Sequence, residues 1–201
     1  MRIAVLGGTF DPVHLGHLAA ASEVCFRLGL DQVLFSPTGQ SWHKDTAQTA
    51  PAADRLAMLE LATAADDRFR VTTVDIDRGG PTYTVDTLAD LRAQRAASAP
   101  AGADEWFFIT GADALAQLHS WREPDRIASL ATIVAITRPG HDLRPPMVAG
   151  IETTVVDVPG LDISSSDIRA RVAAGAPIAY LVPDTVADYI REHGLYLARA
   201  T

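Results

Sequence analysis

Short apolar runs alternate along this chain with longer stretches whose apolar residues recur three and four apart. Ile3–Leu6 reads as a buried parallel strand, and Leu18, Ala21, Cys25 and Leu28 then recur at helical spacing up to Gly29. Val33–Phe35 is a second strand, ending at Ser36-Pro37-Thr38-Gly39. Ala52–Ala65 follows Pro51 as a helix, with Leu56, Leu59 and Ala62 or Thr63 on its apolar stripe. The β-branched stretch Phe69–Ile76 predicts a third strand, broken by Gly79-Gly80-Pro81. A helix from Thr84 to about Ala97 comes next, then strands at Trp106–Thr110, Thr132–Thr137 and Thr153–Val156, with short helices around Ala114 and Pro124. Ser165–Ala174 and Pro183–His193 are the last two helices.

Strands alternating with helices predict an α/β fold, a doubly wound parallel sheet of five to six strands with helices on both faces. The expected organisation is one domain over 1–201, with 162–201 a small helical subdomain. Residues 98–104 read as a surface connection and 39–50 as a polar loop without a core pattern. In such sheets ligands bind beyond the carboxyl ends of the strands, so polar residues just after strands are the candidates for chemistry.

The opening segment is the most informative. Gly7 and Gly8, straight after the first strand, allow a tight turn and close approach of a ligand to the backbone. The helix start beyond offers amide donors and a partial positive charge that favour phosphate. His14 and His17, three apart, can face the same side and donate to a phosphate and to the charge that grows on it during transfer.

Composition narrows the partners. With 48% hydrophobic and 21% charged residues among 201, the chain has the make-up of a globular domain with a full core. A net charge of -8 argues against a general nucleic-acid binder but leaves room for a local anion pocket. Cys25, the only cysteine, excludes an intramolecular disulfide, and its place on the first helix's apolar stripe makes it a core residue. No apolar run approaches membrane-span length and no secretory pattern opens the chain, so the cytoplasm is expected. No His/Cys cluster has protein-metal spacing.

Later stretches add candidates. Asp113, behind the fourth strand, suits a ribose hydroxyl or a helix cap; Trp121 suits a stacked heteroaromatic ring or core packing. Ile163-Ser164-Ser165-Ser166-Asp167-Ile168-Arg169 has a capping pattern at Ser164 and Asp167, but three serines and an arginine one turn in also make a second phosphate cradle, suited to a departing pyrophosphate. Lys44 and Arg138 read as solvated residues or as point charges toward a triphosphate, and the Thr82–Leu88 stretch as a capped helix start or a set of amides facing an anion.

Gly7-Gly8-Thr9-Phe10-Asp11-Pro12-Val13-His14-Leu15-Gly16-His17 resembles the GGxFDPxHxGH motif of the HxGH nucleotidyltransferase superfamily, whose fold is Rossmann-like, and Ile163–Arg169 resembles its ISSTxIR signature with Ser166 in place of Thr. Gly111 to Trp121 resembles the GADxxxxLxxW stretch of the nicotinate mononucleotide adenylyltransferases, and Thr82–Leu88 their SYTxDTL stretch with Thr82 in place of Ser. Ser41-Trp42-His43-Lys44 departs from the family's frequent Pro-Pro-His-Lys.

The resemblance implies that ATP and nicotinate mononucleotide give deamido-NAD and pyrophosphate, with His14, His17 and Arg169 as catalytic residues. ATP would lie against Gly7, Gly8, Thr9, Phe10 and Lys44, and against Gly111, Asp113, Ile163, Ser164 and Ser165; Thr84 and Trp121 would hold the acceptor. The acceptor phosphate, with a second pKa of about 6, is already anionic and needs no general base. Catalysis would be positioning plus charge neutralisation, with Mg²⁺ brought by the triphosphate. The implied partners are these small molecules, with no nucleic acid or membrane; homo-oligomerisation stays open. The competing readings are another HxGH transferase, such as a phosphopantetheine adenylyltransferase, and a nucleotide-binding sensor without turnover.

Overall fold

The computed structural model describes residues 1–39, 49–98, 104–137, 151 and 153–198. Its centre is a six-stranded, all-parallel sheet in the order β3-β2-β1-β4-β5-β6, built from β1 (Arg2–Gly8), β2 (Gln32–Pro37), β3 (Phe69–Val71), β4 (Glu105–Gly111), β5 (Thr132–Thr137) and β6 (Thr153–Asp157). The chain starts in the middle of the sheet, builds outward to β3, then crosses back to place β4 on the other flank of β1. That reversal opens a crevice between the carboxyl ends of β1 and β4, where such sheets bind ligands.

Because side chains alternate across a strand, each strand feeds two cores. Ala4 and Leu6 of β1, with Phe35, Phe107 and Ile109, face one side. Helices α1 (Leu15–Leu28) and α2 (Ala52–Thr63) cover that side, together with residues from the last two helices. Ile3 and Val5, with Phe108 and Ile133, face the other, covered by α4 (Thr84–Ser98) and α6 (Pro124–Leu130). The short helices α3 (Val74–Arg78) and α5 (Ala112–Ala116) complete this layer. Cys25 is buried in the first core. Ile168 of α7 (Ser165–Ala173) and Val186 and Ile190 of α8 (Asp184–Glu192) pack into that same core. Among the described residues no helix is long and apolar enough to cross a membrane.

Two expectations are corrected. The third strand stops at Val71, and Val74–Arg78 is a helix despite its β-branched residues. The buried Asp75 carboxylate accepts from Ser36 Oγ, Thr87 Oγ1 and Arg78 Nη1, each at 2.7 Å, and only a chain that leaves the sheet reaches all three. These tertiary bonds outweigh the local strand preference. On α2 the buried positions are Arg55, Met58, Leu59 and Thr63, so an arginine, with Leu56 only partly buried, occupies the inner face.

Candidate active site

The turn after β1 is built around a phenylalanine. Phe10 takes the left-handed conformation, φ 50°, and its ring is buried against Phe35, 5.8 Å between centroids, and His17, 5.1 Å. Gly8 is needed for this packing, since a Cβ there would meet the Phe10 ring at 3.0 Å. Its absent side chain serves the fold as well as any ligand. Gly16 plays a parallel part: a Cβ would come within 3.0 Å of the His14 ring.

His14 stands at the N-cap of α1, and its ring stacks on that of His17 at 3.7 Å between centroids, with 26° between planes. His17 Nδ1 accepts from the His14 backbone N–H at 3.3 Å. With Nδ1 used as an acceptor, the neutral ring carries its proton on Nε2, which makes that atom a donor. The sequence expectation that the two imidazoles share one side is met.

The late serine stretch divides its labour. Ser164 caps α7, accepting from the Asp167 N–H at 3.1 Å and donating to the Asp167 carboxylate at 2.7 Å. Ser165 Oγ donates to the Pro12 carbonyl at 2.9 Å. Ser166 Oγ accepts from Arg169 Nη2 at 3.3 Å, while Arg169 Nη1 donates to the Asp11 carbonyl at 2.7 Å. Ile163 lies beside Gly16, and the Leu15 N–H donates to the Leu181 carbonyl at 3.0 Å. Two segments some 150 residues apart in sequence are thereby fastened together at the carboxyl end of β1.

On the other side of the crevice, Thr84 at the start of α4 and Trp121 line one cleft of about 230 Å³ with Tyr83, Gln117 and Arg122. Trp121 meets Phe108 in a T-shaped contact, 5.8 Å between centroids, so one ring serves both the core and the cleft. Arg122 lies over the Tyr83 ring at 5.0 Å and pairs with Asp86 at 3.3 Å. Gly111 ends β4 at the head of α5. Lys44, Trp42, His43 and Arg138 lie outside the described residues, as does the Asp113 side chain.

The matches to known proteins fit this geometry. Residues 5–171 match the family described as Cytidylyltransferase-like. The chain is 54% identical over 198 residues to a Corynebacterium kroppenstedtii protein named "Probable nicotinate-nucleotide adenylyltransferase", covering 98% of this chain and 91% of that one. A Salinispora arenicola protein of the same name is 52% identical, with 95% and 99% covered. The chain belongs to the nicotinate-nucleotide adenylyltransferase family. Its fold is that of the Plasmodium falciparum nicotinic acid mononucleotide adenylyltransferase complexed with NaAD, at TM-score 0.77 and 17% identity with 97% of each chain covered. The same enzyme complexed with APC superposes at TM-score 0.76 and 16% identity, covering 97% and 96%.

In this family member sequence reasoning missed a buried ionic knot beneath the turn. Arg55 is 2% exposed and spends its guanidinium on four carbonyls: Ala50 (3.1 Å), Thr9 (2.8 Å), Thr38 (2.8 Å) and Gly39 (3.1 Å). Burial pulls its pKa below the ordinary arginine value, against the opposing pull of Asp11. Asp11, also 2% exposed, accepts from the Ala50 N–H at 3.1 Å and from Tyr196 Oη at 2.7 Å. Burial first, then Asp11, drives the Tyr196 phenol far above its usual range, so it stays a donor. A signal was present: an arginine at i, i+3 and i+4 to Met58 and Leu59 sits on an apolar stripe, where a charge needs partners.

Proposed function

We propose that this chain is a cytoplasmic nicotinate-nucleotide adenylyltransferase, transferring the adenylyl group of ATP to the phosphate of nicotinate mononucleotide and releasing pyrophosphate, a step of NAD synthesis. The observation that carries the reading is the fastening of the His14–His17 turn to Arg169 and Ser165 through the Asp11 and Pro12 carbonyls. It draws imidazole and guanidinium donors to one end of the sheet, as stabilisation of a polyphosphate demands.

In this reading the acceptor phosphate attacks the α-phosphorus in line, and the oxygen bridging to the β-phosphorus leaves with pyrophosphate. The Nε2 donor of His17 and the imidazole of His14 hold oxygens of the α-phosphate as charge grows there. Arg169, whose Nε has no partner among the described residues, takes the leaving β and γ oxygens. Mg²⁺ enters with ATP as part of the substrate. Gly7, Gly8, Thr9, Phe10, Gly111 and Asp113 flank the nucleotide, with Lys44 toward the triphosphate. Ile163, Ser164 and Ser165 present the amide end of α7. Support for an acceptor with a flat ring comes from the cleft that joins Thr84 to Trp121.

The test is pyrophosphate release from ATP with each acceptor in turn. Release with nicotinate mononucleotide, and none with phosphopantetheine, is expected. Release only with phosphopantetheine would reassign the acceptor, and ATP binding without release under any acceptor would make the protein a sensor.

A further inference from the structure

The buried Asp11 carboxylate lies against Arg169, Tyr196 and Ala50, three points far apart in sequence. Its Oδ1 is held by the Ala50 N–H and by Tyr196 Oη. Its Oδ2 stands 3.7 Å from Arg169 Nη1, too far for a close ion pair, while the Asp11 main-chain carbonyl takes that same Nη1 at 2.7 Å. Arg55, from α2, clamps the Ala50 carbonyl whose N–H bonds Asp11, and in the same grip takes the Thr9 carbonyl of the phosphate turn. The geometry thus holds the carboxylate at 3.7 Å, an ion pair without a hydrogen bond, and gives Arg169 the neutral main-chain carbonyl as its close acceptor. A guanidinium oriented by a carbonyl keeps its charge for an anion; one drawn into a carboxylate pair loses much of it.

We propose that Arg55 and Tyr196 are positioning residues for the phosphate site, restraining the Asp11 carboxylate so that Arg169 stays aimed at a nucleoside triphosphate. The proposal rests on the reading of Arg169 as a ligand of the ATP tail. Without the Tyr196 hydroxyl, Oδ1 loses a donor and the carboxylate is released to close its 3.7 Å gap to Arg169. Without the planar fork of Arg55, a lysine cannot reach carbonyls from the turn, the end of β2 and Ala50 at once.

The test is steady-state kinetics on Tyr196→Phe, Arg55→Lys, Arg169→Ala and the double variant Tyr196→Phe/Arg169→Ala in the full chain. Tyr196→Phe deletes one oxygen and keeps the ring packing, so it remains informative should Arg55→Lys fail to fold. The KM for ATP is expected to rise about tenfold in Tyr196→Phe, as loss of one hydrogen bond to a buried charge allows, and at least as much in Arg55→Lys. The KM for nicotinate mononucleotide should stay within about twofold, a split that general loosening of the fold would not produce. In the Arg169→Ala background the Tyr196→Phe effect should vanish, because the hydroxyl acts through the guanidinium. An unchanged KM for ATP in Tyr196→Phe, equal rises for both substrates, or full additivity with Arg169→Ala overturns the proposal while leaving the function intact. An Arg169→Ala variant with unaltered KM for ATP and kcat would instead overturn the reading of the phosphate site, and the proposal with it.

Discussion

The two ends of the crevice are built on different principles. At the histidine end nearly every polar atom that shapes the site has a protein partner: Arg55 on four carbonyls, Asp11 on Tyr196 and Ala50, Ser165 on Pro12, His17 on the His14 amide. At the Trp121 end the cleft is made by packing, with Trp121 in a T-shaped contact with Phe108 and an exposed Arg122 over Tyr83. The first arrangement suits a polyphosphate, whose charge punishes any misplaced donor and whose chemistry gains from groups fixed before it arrives. The second suits a ring, which shape and dispersion hold and a small displacement barely disturbs.

The contrast can be broken by mutation. His17→Ala should lower kcat about 10²–10³-fold with little change in either KM, since the proposed role of its donor is to meet charge that develops on the α-phosphate. A comparable loss in ground-state nucleotide binding, measured by calorimetry, would make the histidine end a binding pocket only. Trp121→Ala should raise the KM for nicotinate mononucleotide about tenfold and leave the KM for ATP within about twofold. If both constants move together, the two ends are not separable. The smallest effect is expected of Ser164→Ala: loss of the α7 cap should cost about 1 kcal/mol in denaturant unfolding. A sizeable loss of turnover at unchanged stability would give that hydroxyl a substrate role beside its structural one.

Much of the frame was legible. The alternation of short apolar runs and helical stripes located the strands, because parallel strands buried on both faces carry continuous apolar residues such as Ile3–Leu6 and Ile133–Ile136. The opening turn and the serine–arginine helix start stood out too, as two groups of polar donors at helix N-termini, and the fold brings them together. What stayed hidden was set by partners remote in sequence. Val74–Ile76 reads as strand until Asp75 is seen to need Ser36, 39 residues earlier. The place of Arg55 on an apolar stripe shows that it needs partners, but not which: Thr9, one of its acceptors, is 46 residues away. Local propensity carries no trace of such bonds, and Gly8 illustrates the same point, its lack of a side chain being required by the ring of Phe10 two residues on.

The bonds from Ser165 to Pro12 and from Arg169 to Asp11 span 153 and 158 residues. A nascent chain emerging from the ribosome therefore exposes its histidines early, but the turn that carries them is fastened to Ser165 and Arg169 only once α7 has been made. Synthesis of the turn and completion of that junction are separated in time, and a product terminated before α7 would lack both bonds.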